Sequence, residues 1–284
     1  MPVRVVESKQ NARLKELRKA LSTPGRGVRA LAGGASSLVG IEGPNLIEEA
    51  LRAGLRVKTV FVAQGAERLA DALNLPAETE ILLLPMKLLE AALATETPQP
   101  IAALVERPNK SWSDVLDRNH EKPLVLVLAA IQDPGNLGTI LRSAEAFGAT
   151  GVVSLPGTVS AWNAKAVRAS AGSVFRVPLL VASEADCFAR LRELGVKVLA
   201  TTARGTKPAG LVALDGPVAL IIGNEGSGVP ENLIAKTDGT IAIPCPGPVE
   251  SLNAAVAASV LLYEASRQRT AAMGGPAEAR GARR

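Results

Sequence analysis

Residues 124–130, LVLVLAA, form an unbroken apolar run with no position turned toward water. Such a run predicts a strand covered on both faces, as in a parallel sheet between layers of helices. It opens the second of two alternating series. The first starts at residue 38. Apolar runs at 38–43, 58–62, 80–85 and 100–106 predict strands, and the segments between them at 44–54, 67–74 and 87–96 carry helical spacing. Leu46, Ile47, Ala50 and Leu51 make the stripe of the first of these helices, and Pro44 suits its first turn. In the second series, the turn at 133–136 leads into a helix whose stripe is Leu137, Ile140, Leu141 and Ala144, with Arg142 off it. Strands at 151–156, 175–182, 197–203 and 218–223 follow, with helices at 163–172 and 184–195 between them. Parallel strands in that order imply right-handed crossovers.

Both ends of the chain read differently. Residues 8–21 predict a helix with Leu14, Leu17 and Leu21 on one face and Arg13, Lys15, Arg18 and Lys19 away from it. Residues 23–37 mix glycines and a proline, which predicts a mobile loop carrying Arg26 and Arg29. From Ile241 a short apolar stretch meets Pro244, Pro246 and Pro248, which fix φ and stiffen a loop. Beyond Leu252 the residues are almost all Ala, Val or Leu, which predicts a helix buried on most of its circumference. With 284 residues the chain suits two domains: residues 1–113, then 114–270, with 108–113 as linker, Trp112 packing at the junction, and 271–284 as a disordered basic tail.

Composition agrees with α/β layers, since 47% of residues are hydrophobic but only 2% aromatic, leaving aliphatic side chains to fill the interior. Charge adds more. Residues 1–29 hold eight Lys/Arg against two acids and residues 266–284 hold five against one, so a chain of net charge +5 has an acidic body between basic arms. Basic arms suit contacts with phosphates, and they equally suit solvated tails. Cys187 and Cys245 are the only cysteines, with no C-x-x-C pair, which points to a reducing cytoplasmic setting and excludes a cysteine-rich zinc site. The sole histidine, His120, lies in a polar stretch. No signal peptide or membrane-length apolar run is expected, and neither a metal nor a membrane partner.

Three stretches concentrate Gly, Asn and charged residues at the ends of apolar elements. The first, from Asn136, reads N-x-G-x-I-x-R-x-A-x-A-F-G. The second, from Ile221, is I-I-G-N-E-G-x-G-V, and the third, from Ile243, is I-P-x-x-G-x-V-E-S-L-N-A-A-x-A. In order and spacing these resemble the three motifs of the SpoU/TrmH branch of the SPOUT RNA methyltransferases, which move a methyl group from S-adenosylmethionine to a ribose 2′-hydroxyl. The motifs span about half the chain.

That resemblance implies a C-terminal α/β domain with a mostly parallel sheet and a deep trefoil knot, dimerising through the knot region. The first alternating series resembles the family's smaller, ribosomal-protein-like substrate-binding domain. The resemblance implies that Arg142 is central to catalysis. With a solution pKa above ~12, an arginine is a poor general base, so its expected part is to hold a phosphate and stabilise the developing alkoxide. It further implies that Asn136 positions RNA and neighbouring loop residues, that Glu225 orders the arginine and the third motif, and that Ser251 and Asn253 lie near cofactor and ribose. Backbone groups of Gly223, Ile243 and Leu252 are implied to bind the adenine end of the cofactor, with Ile222, Asn253, Thr201 and Thr202 lining the same pocket. Arg13, Lys15, Arg18, Lys19, Arg26, Arg29 and Arg168 are the candidate RNA contacts.

Each residue also has a plainer reading. Asn136 can cap a helix. Arg142 can pair with Glu145 at i,i+3. Glu225 can be an ordinary acidic turn residue, and Glu250, Ser251 and Asn253 can cap the last helix. A dinucleotide-binding oxidoreductase is disfavoured because no G-x-G-x-x-G joins a strand to a helix. Ribosomal RNA, 23S above all, is the expected substrate. A tRNA methyltransferase, a noncatalytic RNA-binding protein on the same fold, and a self-protection enzyme against a ribosome-directed antibiotic remain as alternatives.

Overall fold

The structure, a computed structural model, describes residues 3–22, 38–93, 95–116, 122–203, 207–249 and 251–273. The expected loop 23–37 with Arg26 and Arg29, together with His120, Glu250 and the tail from 274, lie outside the described residues.

Two sheets organise the chain. The first comprises β1 (Val3–Val5), β2 (Leu38–Glu42), β3 (Val57–Ala63), β4 (Glu80–Leu84) and β5 (Ile101–Glu106) in the order β1-β4-β3-β5-β2. β5 runs antiparallel to β3 and β2, whereas β1, β4 and β3 are parallel. Four helices dress this sheet: α1 (Ala12–Ser22), α2 (Pro44–Arg52), α3 (Arg68–Asp71) and α4 (Met86–Glu90). α1 starts later than expected because the Asn11 side chain accepts from the N–H groups of Arg13 and Leu14, capping the helix there. Its Leu14, Leu17 and Leu21 are buried in one cluster with Phe61, Leu82 and Leu104. α3 and α4 are shorter than the helices expected at 67–74 and 87–96. β1 was not expected at all: its Val-Arg-Val alternation is only three residues long, too short to stand out, and it is exposed throughout.

The second sheet has seven strands, all parallel, in the order β10-β12-β9-β11-β6-β7-β8. In chain order its elements are α5 (Trp112–Val115), β6 (Leu124–Leu128), α6 (Pro134–Ala146), β7 (Gly151–Ser154), α7 (Ala164–Ala169), α8 (Ser173–Arg176), β8 (Leu179–Val181), α9 (Glu184–Glu193), β9 (Lys197–Thr201), β10 (Lys207–Pro208), β11 (Val218–Ile222), α10 (Glu231–Ile234), β12 (Gly239–Ala242) and α11 (Ala254–Ala272). β6 is fully buried, as its apolar run predicts. Its Leu124, Leu126 and Leu128 point into the core shared with α6, α7 and α11, and Val125 and Val127 point into the one shared with α5 and α9. Each such side chain contributes roughly 1.5–3 kcal/mol relative to exposure.

Several expectations need correction. Residues 175 and 176 belong to α8 and not to a strand, because Gly172, at φ 87° in the left-handed region, turns the chain into a further helical turn first. Residues 271 and 272 continue α11, so the helix outlasts the expected tail boundary. α11 is also less enclosed than its composition suggests: Ala254, Ala255, Ala258, Leu261, Leu262 and Ala265 are buried, but Val256, Val260 and Tyr263 are 48%, 39% and 56% exposed.

Trp112 is fastened to the second sheet's layers, where its indole N–H donates to Asp186 Oδ2 at 2.9 Å. The two sheets share one apolar cluster running from Val39 and Ile47 to Leu126 and Leu137. At their junction a Cβ added to Gly172 would lie 2.7 Å from Glu49 Cβ, so α8 sits directly on α2. Near its far end, α11 is held by Arg269, which donates to the carbonyls of Lys122, Pro123, Leu214 and Gly216. Burial lowers the pKa of this guanidinium.

Candidate active site

The site forms where the carboxyl ends of parallel β6, β9, β11 and β12 meet, which is where open α/β sheets bind ligands. After β6 the chain turns at Asp133-Pro134. Asp133 Oδ1 accepts from the Asn136 N–H at 2.8 Å and Pro134 occupies the first turn, so Asp133 is the cap of α6. The plain capping reading of Asn136 therefore fails, and its side-chain amide is free for tertiary contact. Lys165, 2.9 Å from Asp133 Oδ2, and the backbone N–H of Asn136 together hold the Asp133 carboxyl below its usual range. The Asp-Pro pair is itself a helix-start signal, although sequence reading placed the functional weight on Asn136.

Asn136 joins the three motifs. Its Nδ2 donates to Glu225 Oε1 at 2.7 Å, and its Oδ1 accepts from Asn253 Nδ2 at 3.1 Å. Asn253 is at the same time the cap of α11, its Oδ1 accepting from Ala255 and Val256 N–H. Glu225 thus touches Asn136 and not Arg142. Any influence it has on the arginine passes along α6, on which both partners ride.

The turn that presents Glu225 is built by its neighbour. Asn224 Oδ1 accepts from Gly226 N–H at 2.8 Å, its Nδ2 donates to the Ala130 carbonyl at 2.9 Å, and Asn224 and Gly228 exchange backbone hydrogen bonds. Ala130 sits at φ 59°, an uncommon conformation for a residue with a Cβ, and that hydrogen bond helps to hold it there. Gly223 is obligatory for steric reasons: a Cβ would fall 2.1 Å from the Gly228 carbonyl carbon. Gly138 is similarly confined, with an added Cβ 2.5 Å from the Ala166 carbonyl oxygen, so it sets the close approach of α6 to α7.

The remaining candidates lie around this hub. The N–H and C=O of buried Gly223, the N–H of Ile243 and both main-chain groups of Leu252 bond to no described residue. Such open main-chain groups fit the adenine-binding part implied for Gly223, Ile243 and Leu252, because an adenine edge offers complementary donors and acceptors. Thr201 Oγ1 donates to the Ile221 carbonyl at 2.7 Å, and Thr202 N–H to that of Ile241 at 3.0 Å, so both close the β9 edge of the site. Ile222 is buried, with its carbonyl accepting from Ala129. Ser251 is exposed and makes no hydrogen bond among the described residues.

Arg142 is exposed and has no ion pair among the described residues. The pair with Glu145 is absent, because Glu145 is taken by Arg176. Three contacts set the relation of α6 to α11: Asn136 to Asn253, Ser143 Oγ to Ser259 Oγ at 2.7 Å, and the Phe147 ring edge-on to Tyr263 at 5.8 Å. Numbers rise together along both helices, so they pack in parallel. Arg142 precedes Ser143, and Val260 follows Ser259, each by about 100° of helical turn. In parallel helices these rotations bring both to the same side, so Arg142 borders the exposed stripe of Val256, Val260 and Tyr263.

The basic candidates outside the motifs divide. Arg13 is committed to Glu16 and to Glu80 of β4; Lys15, Arg18 and Lys19 also lie on the exposed side of α1. Arg168 is exposed and lines a shallow cleft with Leu21, Ile41 and Val167 between the two sheets. Among the described residues, no group of three or more His, Cys, Asp or Glu could hold a metal ion, and no helix is long and apolar enough to cross a membrane.

Comparison with known proteins gives the site a context. Residues 123–263 match the model of the SpoU rRNA methylase family, and residues 41–111 match that of an RNA 2′-O ribose methyltransferase substrate-binding domain. A relative from Bacillus subtilis, 23S rRNA (guanosine(2553)-2′-O)-methyltransferase RlmP, is 37% identical over 78% of this chain and 86% of its own. The crystal structure of the SpoU methyltransferase AviRb from Streptomyces viridochromogenes, in complex with the cofactor AdoMet, superposes with a TM-score of 0.78 at 28% identity, covering 94% of this chain and all of that one. An AdoMet-bound rRNA methyltransferase from Sinorhizobium meliloti superposes equally well, at 0.78 and 29% identity, over 93% of this chain and 98% of its own.

Proposed function

The chain belongs to the SpoU family of RNA methyltransferases, and from that premise we propose that it methylates a ribose 2′-hydroxyl of structured ribosomal RNA, 23S rRNA in particular, using S-adenosylmethionine. The observation that carries this reading is the hydrogen-bond chain from Asn253 through Asn136 to Glu225, which ties all three motifs into one site. The named relatives favour rRNA over tRNA as substrate. The intact hub argues against a binder that has lost catalysis. The two unpaired cysteines suit the cytosol.

Main-chain groups of Gly223, Ile243 and Leu252 would hold the adenine end of the cofactor, with Ile222, Thr201 and Thr202 behind it. Bound there, the cofactor supplies a sulfonium-activated methyl, which needs no metal. The chain's own contribution is position and charge. Asn136, anchored on both sides, fixes α6 against the turn at Glu225 and the start of α11. Ser251, exposed beside the Asn253 cap, would face the ribose. Arg142 would clamp a neighbouring RNA phosphate and stabilise negative charge as the 2′-oxygen loses its proton. Lys15, Arg18 and Lys19, with Arg26 and Arg29 from the adjoining segment and Arg168 at the cleft, would track the RNA backbone. We place the division of labour at residues 1–113 for RNA capture and 114–270 for methyl transfer, in keeping with the two family matches.

The exposed stripe of Val256, Val260 and Tyr263 supports a homodimer through this region. The path from β12 to α11 passes the carboxyl ends of β9 and β11 to reach α6, a course compatible with the family's knot. Sedimentation of Val260→Asp against the parent tests the dimer: the parent should sediment as a dimer and the variant should shift toward monomer. A monomeric parent refutes it.

Single-turnover methylation with saturating RNA and cofactor tests the catalytic reading. Arg142→Ala should abolish transfer while leaving folding and cofactor affinity intact, because Arg142 is off the apolar stripe. Lys at 142 should also fail if the planar fork matters, and should recover in part if charge alone suffices. A near-normal rate in Arg142→Ala would remove the centre of the mechanism.

A further inference from the structure

We infer that Arg176 is a positioning residue that keeps Arg142 available for RNA by occupying Glu145, an inference that rests on the part proposed for Arg142. Arg142 and Glu145 stand three residues apart on α6, the spacing at which opposite charges pair on a helix. Left alone, Glu145 would compete with RNA phosphate for the arginine. Glu145 is instead turned to Arg176 at the end of α8, which grips both carboxylate oxygens in a two-pronged contact, Nη2 to Oε2 at 3.0 Å with a shorter one from Nε to Oε1. Such bidentate pairs are the stronger kind and depend on the arginine fork. The free Nη1 of Arg176 donates to Glu49 Oε2 on α2.

Three features make this arrangement particular. The side chains of Arg176, Glu145 and Glu49 are each only 26% to 34% exposed, so the cluster is more shielded than an ordinary surface pair. The Arg176 contact, aided by the Ser173 hydroxyl, holds the Glu145 carboxyl below its usual range, as a carboxylate firmly held by a guanidinium should be. Glu49 lies in the RNA-capture half of the chain, and Gly172 lets α8 sit against it. Seating of one half on the other therefore orients the guanidinium that withholds Glu145 from Arg142.

The test combines single-turnover methylation with a measurement that needs neither RNA nor cofactor: modification of Arg142 by phenylglyoxal, mapped by mass spectrometry on the full chain. Arg176→Ala should lower the methylation rate about two- to fivefold, the size expected of one exposed ion pair. It should slow modification of Arg142 to a similar degree, because Glu145 now shields it. Adding Glu145→Gln should restore both. Glu145→Gln alone should leave both near the parent values, whereas Glu49→Gln, which removes the contact that orients Arg176 from α2, should lower both by less than Arg176→Ala does. If thermal unfolding shows Arg176→Ala to be poorly folded, Arg176→Lys takes its place, with a smaller loss that Glu145→Gln again repairs. Failure of Glu145→Gln to repair the loss, or an Arg142 modification rate indifferent to Arg176, overturns the inference and leaves Arg176 as a plain brace. Should Arg142→Ala itself methylate normally, the catalytic reading falls, while the modification rates still decide whether Arg176 shields Arg142.

Discussion

Replacing Asn136 by Ala removes one side chain and two hydrogen bonds without touching the core. The bond to Glu225 is charge-assisted at 2.7 Å and the one from Asn253 is a longer neutral contact at 3.1 Å. Bonds of these kinds contribute about 1.5–3 and about 0.5–1.5 kcal/mol when desolvated. Asn136 and Glu225 are half-buried and Asn253 is exposed, so water can take over part of each contact. A loss of about 1–2 kcal/mol is the reasonable total. If that energy holds the catalytic geometry, the single-turnover rate of Asn136→Ala should fall roughly five- to thirtyfold. Global stability should fall by no more than about the same 1–2 kcal/mol, because Asp133 still caps α6 and Asn253 still caps α11, so the rate is compared at a temperature where the variant is folded. Asp133→Ala is the converse control. It deletes the α6 cap, worth about 1 kcal/mol, and should lower the melting temperature by roughly 2–4 °C in a chain of this size. Its methylation rate should stay near the parent value at a temperature where it is folded. An Asn136→Ala enzyme with unchanged rate, or one whose loss is wholly accounted for by unfolding, would show that the hub is a brace for the fold and not for the chemistry.

Two further outcomes are open to measurement. Gly223→Ala places a Cβ 2.1 Å from the Gly228 carbonyl carbon and must displace that turn; overpacking of this kind costs about 1–3 kcal/mol, so calorimetric cofactor affinity should drop about tenfold, whereas Gly210→Ala, with nothing within 4 Å, should be silent. The Glu264 carboxyl is lowered from 4.5 to about 2 by its contacts with Arg267 and then Gln268; a depressed folded pKa stabilises above the unfolded value and is lost as pH falls through the folded one, so Glu264→Gln should flatten the decline in melting temperature between about pH 4.5 and 2, and an unaltered decline would contradict the pairing.

Much of the architecture could be read from periodicity because it depends on local alternation or helical spacing. The buried run of β6, the Leu14/Leu17/Leu21 face of α1 and the stripe of α6 all appear where the spacing puts them. What failed was short or non-local. β1 has three exposed residues, too few for its alternation to register, and α8 exists because Gly172 turns the chain where a run of Val and Leu suggested a continuous strand. The hub joins residues 89 and 117 positions apart, a distance that no window of periodicity spans. Its members were found only because three motifs resembled a family in order and spacing. The role of Asp133 as the cap is legible from Asp-Pro, a helix-start signal in its own right. Arg176 had no signal of its own, since its partners lie 31 and 127 positions away. The exposed stripe on α11 is hidden by composition, which shows that Ala, Val and Leu are abundant but not which of them meet water.

Arg269 gives the end of the chain a practical meaning. One guanidinium collects the carbonyls of Lys122 and Pro123, where the second sheet begins, and of Leu214 and Gly216, just ahead of β11. With Asn253 anchoring its opening turn, the last helix is moored at both ends, and whatever is appended after residue 273 pulls on Arg269 before it can disturb Asn253. Fusions and affinity tags are therefore better tolerated at the C-terminus than the proximity of α11 to the site suggests. A cut made before residue 269 is a different matter, because four carbonyls in two separate segments lose their common donor at one stroke.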